Sequence, residues 1–255
     1  MNAIEGIGAK EKSESDGWTR SSREHHRPDG PHPGVIAIIV LALSVMALLV
    51  PAGMAGGMFF PSPYGSTQTV WMYLTEHRDS SVATGFLTFA ASVPLGIFTA
   101  TVYARLLRLG IRVPGPNIAF AGGITATILL AMSGLLTWSL GQSIAGESAA
   151  LLHLGEYVAY ALGGVGFIVG IGLLIAGIAV PSLILHLTPS WVAWIGLLLA
   201  ALAEISVLVL LVPQLAFLLP IGRFVGVAWL VVAGFLLPRN RHNTAQPSQL
   251  KEGTP

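Results

Sequence analysis

From Val35 onward the chain is a series of long apolar runs, broken by short polar stretches and by prolines. A bilayer span needs about 20 apolar residues. The runs divide into six segments of that order, at about 34–60, 82–107, 118–140, 150–181, 191–212 and 215–237. This pattern predicts an all-α fold, a polytopic integral membrane helix bundle with six transmembrane helices in residues 34–238. Polar tails flank it at 1–33 and 239–255.

Each run carries local signals. The first continues through Pro51 and the small residues up to about Phe60, and the polar region before it is too long for a cleaved signal peptide. Pro61 to Ser81 carries Tyr64, Trp71 and Tyr73, residue types that settle at the headgroup level, so an interfacial loop or short surface helix is expected there. In the second run Thr84, Thr88 and Ser92 recur at helical spacing. They either line a polar path or bond their own helix backbone. Asn117 and Ser190 are placed to cap the third and fifth spans. Ala149 to Leu187 is too long for one upright span: a helix of that length measures about 58 Å against a hydrocarbon layer of about 30 Å. No clean break divides it, so one tilted or bent helix is expected. Within it Gly163, Gly166, Gly170 and Gly177 fall on roughly one face, a seam where another helix backbone can approach closely.

Composition sharpens the membrane reading and narrows the chemistry. The chain is 53% hydrophobic and 10% charged, with a mean hydropathy of +0.73, far from a soluble domain. Between Ser80 and Pro238 the only charged residues are Arg105, Arg108, Arg112, Glu147, Glu156, Glu204 and Arg223. A net charge of +1 with no basic patch gives no footprint for nucleic acid. With no cysteine there is no disulfide, thiolate nucleophile or Cys-ligated metal. The N-terminal tail is too polar to fold alone, and its His25, His26 and His32 lack the fixed geometry of a metal site. Lys and Arg gather in the two tails and in the Arg105 to Arg112 connection, with only Arg78 in the opposite loops. That asymmetry places both termini in the cytoplasm.

The ionisable residues inside the spans are the candidate functional groups. Glu204 lies about 21 Å along its helix from Ser190, and Arg223 about 22 Å from Pro238, so an antiparallel hairpin brings them to one depth as an intramembrane ion pair. Alternatively, Pro220 starts the last helix and Arg223 snorkels to the outer headgroups. His153 and Glu156, three apart, form a polar pair at the outer mouth, either holding a ligand or packed as ordinary interfacial residues beside Tyr157 and Tyr160. Arg105, Arg108 and Arg112 make a basic stripe facing lipid phosphates. His153 and His186 sit at opposite ends of one segment, which excludes a haem held between paired histidines. No HExxH, GxSxG or P-loop motif occurs, so no catalytic residue, metal or cofactor is assigned.

The segments GIGLLIAGIAVPSL (Gly170 to Leu183) and LLPIGRFVGVAWLVVAGFLLPR (Leu218 to Arg239) resemble the later spans of small uncharacterised bacterial membrane proteins in domain-of-unknown-function families. The resemblance covers the second half of the chain and implies a compact multi-helix fold in the bacterial cytoplasmic membrane, with no residue role to carry over. The expectation is a non-enzymatic multi-pass membrane protein, structural, regulatory or partner-binding, in contact with the lipid bilayer and able to use its Gly-rich helix faces for a protein partner or a second copy. The alternative is a small-solute or proton-linked transporter using Glu204 and Arg223, with His153 and Glu156 around an outer-facing cavity. An enzyme acting on lipid would need a further acid or metal ligand.

Overall fold

The computed structural model describes residues 31–142 and 148–238. Most of both tails, with His25, His26, Arg239 and Arg241, and Glu147 lie outside the described residues. Among the described residues every regular element is helical. The helices are α1 (Pro33–Met54), α2 (Thr67–Glu76), α3 (Arg78–Arg108), α4 (Gly115–Leu140), α5 (Ala149–Ile184), α6 (Ser190–Ile205, continued by a 3₁₀ stretch Ser206–Leu210) and α7 (Pro213–Leu236). All but α2 are long and apolar enough to cross a bilayer, giving six candidate spans and a multi-pass membrane protein.

Local chemistry sets the helix ends. Gly56 and Gly57 at φ 67° and 93° end the first helical run at Met54, before the expected Phe60, and release a non-helical segment toward Tyr64. The N-cap of α1 is His32, whose Nδ1 accepts from Gly34 N at 3.2 Å while its ring packs 4.9 Å from that of Phe235. That contact puts the start of α1 and the end of α7 at one end of the bundle. Neither expected cap operates. The α4 helix starts at Gly115 with Pro116 in its first turn, and Asn117 Oδ1 instead accepts from the Tyr103 hydroxyl at 3.4 Å. Pro189 precedes Ser190, which is the first residue of α6. Besides His32, Ser66 and Ser148 act as side-chain caps, accepting from Thr69 N and Leu151 N.

The long apolar region is one continuous helix, α5, and the most buried of the six: 67% of its most apolar window is buried, against 33–44% in the others. It packs on α4, α6 and α7, while α3 packs on α4 and α1, and α1 on α7. Glycine makes these approaches close. Gly163, Gly166, Gly170 and Gly177 all face α4, meeting Ser133, Leu129, Ala126 and Ala119. A methyl group at Gly170 would lie 2.7 Å from Ala126 N. The glycine seam is thus occupied within the chain. Two further glycine contacts join Gly85 to Gly134 between α3 and α4, and Gly34 to Gly234 between α1 and α7. The Trp229 indole donates to Val192 O at 2.8 Å and seats over Gly196, tying α7 to α6. Outward, large apolar side chains such as Phe86, Leu154, Leu198 and Phe217 are exposed around the perimeter, the surface a bilayer would cover.

Besides the 3₁₀ stretches Ser206–Leu210 and Pro213–Phe217, two stretches of the spans depart from α geometry. Residues Ala161–Gly166 of α5 and Ile221–Val225 of α7 are π-helical. The first contains the adjacent glycines 163 and 164, which hold the helix ladder weakly. The second follows Pro220, which has no N–H to give and whose ring displaces the carbonyl one turn back. Turns of this kind often mark functional sites.

Candidate functional site

Between α1, α3, α4, α5 and α7 lies a cavity of about 350 Å³. Its walls are mainly apolar, with the hydroxyl residues Ser44, Thr84, Thr88, Ser133 and Thr137 on α1, α3 and α4. Both π-helical stretches border it, through Gly163 and Gly164 on one side and Arg223 and Phe224 on the other. Glu156 and Arg223 also line it, so one acid and one base reach the same space.

Glu156 is 2% exposed, and neither carboxylate oxygen has a hydrogen-bond partner. Unpartnered buried carboxylates are expensive, so such a group in a cavity calls for a ligand, a proton or water. Arg223 reaches the cavity from α7, its guanidinium carbon 5.6 Å from the centre of the fully buried Phe167 ring and its buried Nε unpartnered. The ring face steadies the cation without neutralising it. Ser44 on α1 is a third residue of the lining with a buried polar atom, its Oγ, that has no partner.

The segment Phe60, Pro61 and Pro63 covers the cavity. His153 pins it. Its Nε2–H donates to Pro63 O at 2.7 Å, since a carbonyl can only accept, and its Nδ1 shares a hydrogen bond with the Thr67 hydroxyl, also at 2.7 Å. Tyr64 adds edge-on contacts to Tyr157 and Tyr160, with centroids 5.8 and 5.5 Å apart. Beside it Val70 and Leu74 of α2 pack with Leu140 and Leu152 in a small apolar cluster. Ser80 Oγ donates to Pro51 O at 2.9 Å, joining α3 to α1 below the cover.

The structure redistributes the candidates. Glu204 lies on the exposed face of α6, one residue and so about 100° round the helix from the buried Ala203. Its Oε1 sits over Gly172 of α5, where an added methyl would approach it to 2.7 Å. Among the described residues no ion pair joins Glu204 to Arg223. Equal depth had brought them together on paper, but the two helices turn the side chains to different surroundings. His153 and Glu156 also diverge: residues three apart differ by about 60° in direction, so His153 faces the covering segment and Glu156 the cavity. Arg105 parts from Arg108 and Arg112. It is 6% exposed, and its guanidinium donates to Leu237 O at 3.3 Å, meeting the carbonyl end of α7, whereas Arg108 and Arg112 are exposed. Thr84 and Ser92 bond carbonyls of their own helix, Ser80 O and Phe89 O, and Thr84 with Thr88 still borders the cavity.

Sequence reasoning missed Ser44, Ser133 and Thr137; its transporter alternative grouped Glu156 and Arg223 around one cavity, but together with Glu204 and His153, which do not line it. The available signal was the short list of ionisable side chains inside spans, Arg105, His153, Glu156, Glu204 and Arg223; which of them share a cavity depends on helix rotation. Among the described residues no three metal-ligating side chains converge. Comparison with family models, curated proteins and solved structures returned no match.

Proposed function

We propose that this chain is a small-solute carrier or solute-binding protein of the bacterial cytoplasmic membrane, with both termini in the cytoplasm and the cavity in the outer half of the bilayer. One observation carries the reading: Glu156 and Arg223 converge on a 350 Å³ cavity between helices with Glu156 wholly unpartnered. A purely structural clamp would have placed acid and base against each other, since breaking such a pair inside a protein costs several kcal/mol. The cavity size and its mostly apolar lining with a few polar groups match ordinary small-ligand sites. The orientation rests on the basic residues at the tail side of the chain.

The test is a flux screen in proteoliposomes with radiolabelled amino acids, sugars, amines and carboxylates, at matched and opposed proton gradients. Uptake of at least one class, reduced tenfold or more by Glu156→Gln and unchanged by Glu204→Gln, is the expected result. Absence of flux and of ligand-induced thermal stabilisation across the panel would return the chain to a structural or partner-binding role.

A further inference from the structure

The chemistry of the cavity defines a ligand class, an inference that rests on the solute-site reading above. We infer that the cavity takes a small zwitterion, its ammonium group against Glu156 and its carboxylate or phosphate against Arg223, with an apolar body along the α1 and α7 walls. Acid and base enter one space from α5 and α7 and form no ion pair with each other, and neither Glu156 oxygen is hydrogen-bonded. With Glu156 ionised, a ligand with one charge would leave the other protein group buried without a counter-charge, which is strongly unfavourable. A ligand with no charged group would pair with neither and would leave Glu156 to be held as its neutral acid. A zwitterion satisfies the two together, and the guanidinium fork suits the planar carboxylate or the phosphate.

The walls fit the rest of such a molecule. Leu48, Phe60, Ile168, Leu219 and Phe224 offer an apolar surface, and the unpartnered Ser44 hydroxyl is available to an acceptor or donor on the ligand. Phe167, fully buried under Arg223, holds the cation in place before the ligand arrives, which lowers the ordering cost of binding. The same pair of charges occurs on a free amino acid and on an ethanolamine phospholipid headgroup. Their shared feature, an ammonium joined to an oxyanion, is what the cavity selects.

Calorimetric titration of the full chain in nanodiscs tests this. The probes are L-leucine, glycerophosphoethanolamine, 3-methylbutylamine, which keeps only the ammonium, and 4-methylpentanoate, which keeps only the carboxylate. At least one zwitterion should bind tenfold or more tighter than both singly charged compounds. Glu156→Gln should reduce its advantage over 4-methylpentanoate to under threefold and leave its advantage over the amine; Arg223→Gln should do the reverse. The wild-type ranking stands as the test if either variant does not fold. Nanodiscs with and without phosphatidylethanolamine separate the two sources: loss of leucine affinity in its presence assigns the site to the headgroup, and unchanged affinity to a free solute.

Equal binding of the singly charged probes, or no binding of either zwitterion, would overturn the inference. Ala47→Trp, which fills the cavity, separates the two levels of failure. If a singly charged probe binds wild type as tightly as the zwitterions and Ala47→Trp abolishes it, the solute site survives and the zwitterion does not. If Ala47→Trp changes nothing, binding lies elsewhere and the solute site is lost as well.

Discussion

Glu156 and Glu204 are both acids in apolar helices, and their surroundings separate them. Glu156 is enclosed against a cavity; Glu204 is exposed on α6 with one oxygen over Gly172. Arg223 faces the first of these surroundings. A thermal-unfolding cycle with Glu204→Gln, Arg223→Gln and the double variant should therefore be additive within about 0.5 kcal/mol, as for sites with no shared partner. Coupling above about 1 kcal/mol would restore the hairpin ion pair. At this scale the sequence supplied the list of rare charges and their approximate depth. It did not supply the rotation of each helix, because the direction in which Glu204 points depends on which face of α6 the rest of the bundle covers.

Among the helices, glycine placement decides how near two backbones come. Gly170 lies against the backbone of Ala126, so a branched side chain there has no flexible neighbour to displace. Gly170→Val should destabilise the protein by about 1–3 kcal/mol, the range for overpacking, read as a lower unfolding temperature in detergent. Gly53 is the control: it lies in α1 with nothing within 4 Å of an added methyl. Gly53→Ala should stabilise by up to about 1 kcal/mol through helix propensity. If Gly170→Val were as well tolerated as Gly53→Ala, the α4–α5 contact would be looser than described. The seam itself was readable as small residues four apart in an apolar run. Its partner was not, since several faces in the chain present similar glycines, and the matching of Gly170 to Ala126 follows from the packing of both helices.

For the whole molecule, the even number of spans puts the start of α1 and the end of α7 together, and His32 against Phe235 shows them so. The chain has no cysteine, so single cysteines can be introduced without background. With the proposed orientation, a membrane-impermeant maleimide in intact cells should label Gln142→Cys, just past the C-terminal end of α4, and should reach Val113→Cys at the other end only after permeabilisation. The opposite pattern would invert the protein and place the cavity in the cytoplasmic half. The sequence alone determined the membrane class, the all-helical fold and the six spans, because a bilayer forces long apolar helices and those are written in composition and run length. Even the long α5 was legible as one helix, since nothing in Ala149 to Leu187 breaks it cleanly. Only the tertiary structure decided that Glu156 and Arg223 share a cavity while Glu204 faces outward, and that His153 pins the covering segment. Those facts depend on helix rotation and on contacts between residues far apart in the chain, which run length and depth along a helix axis do not encode.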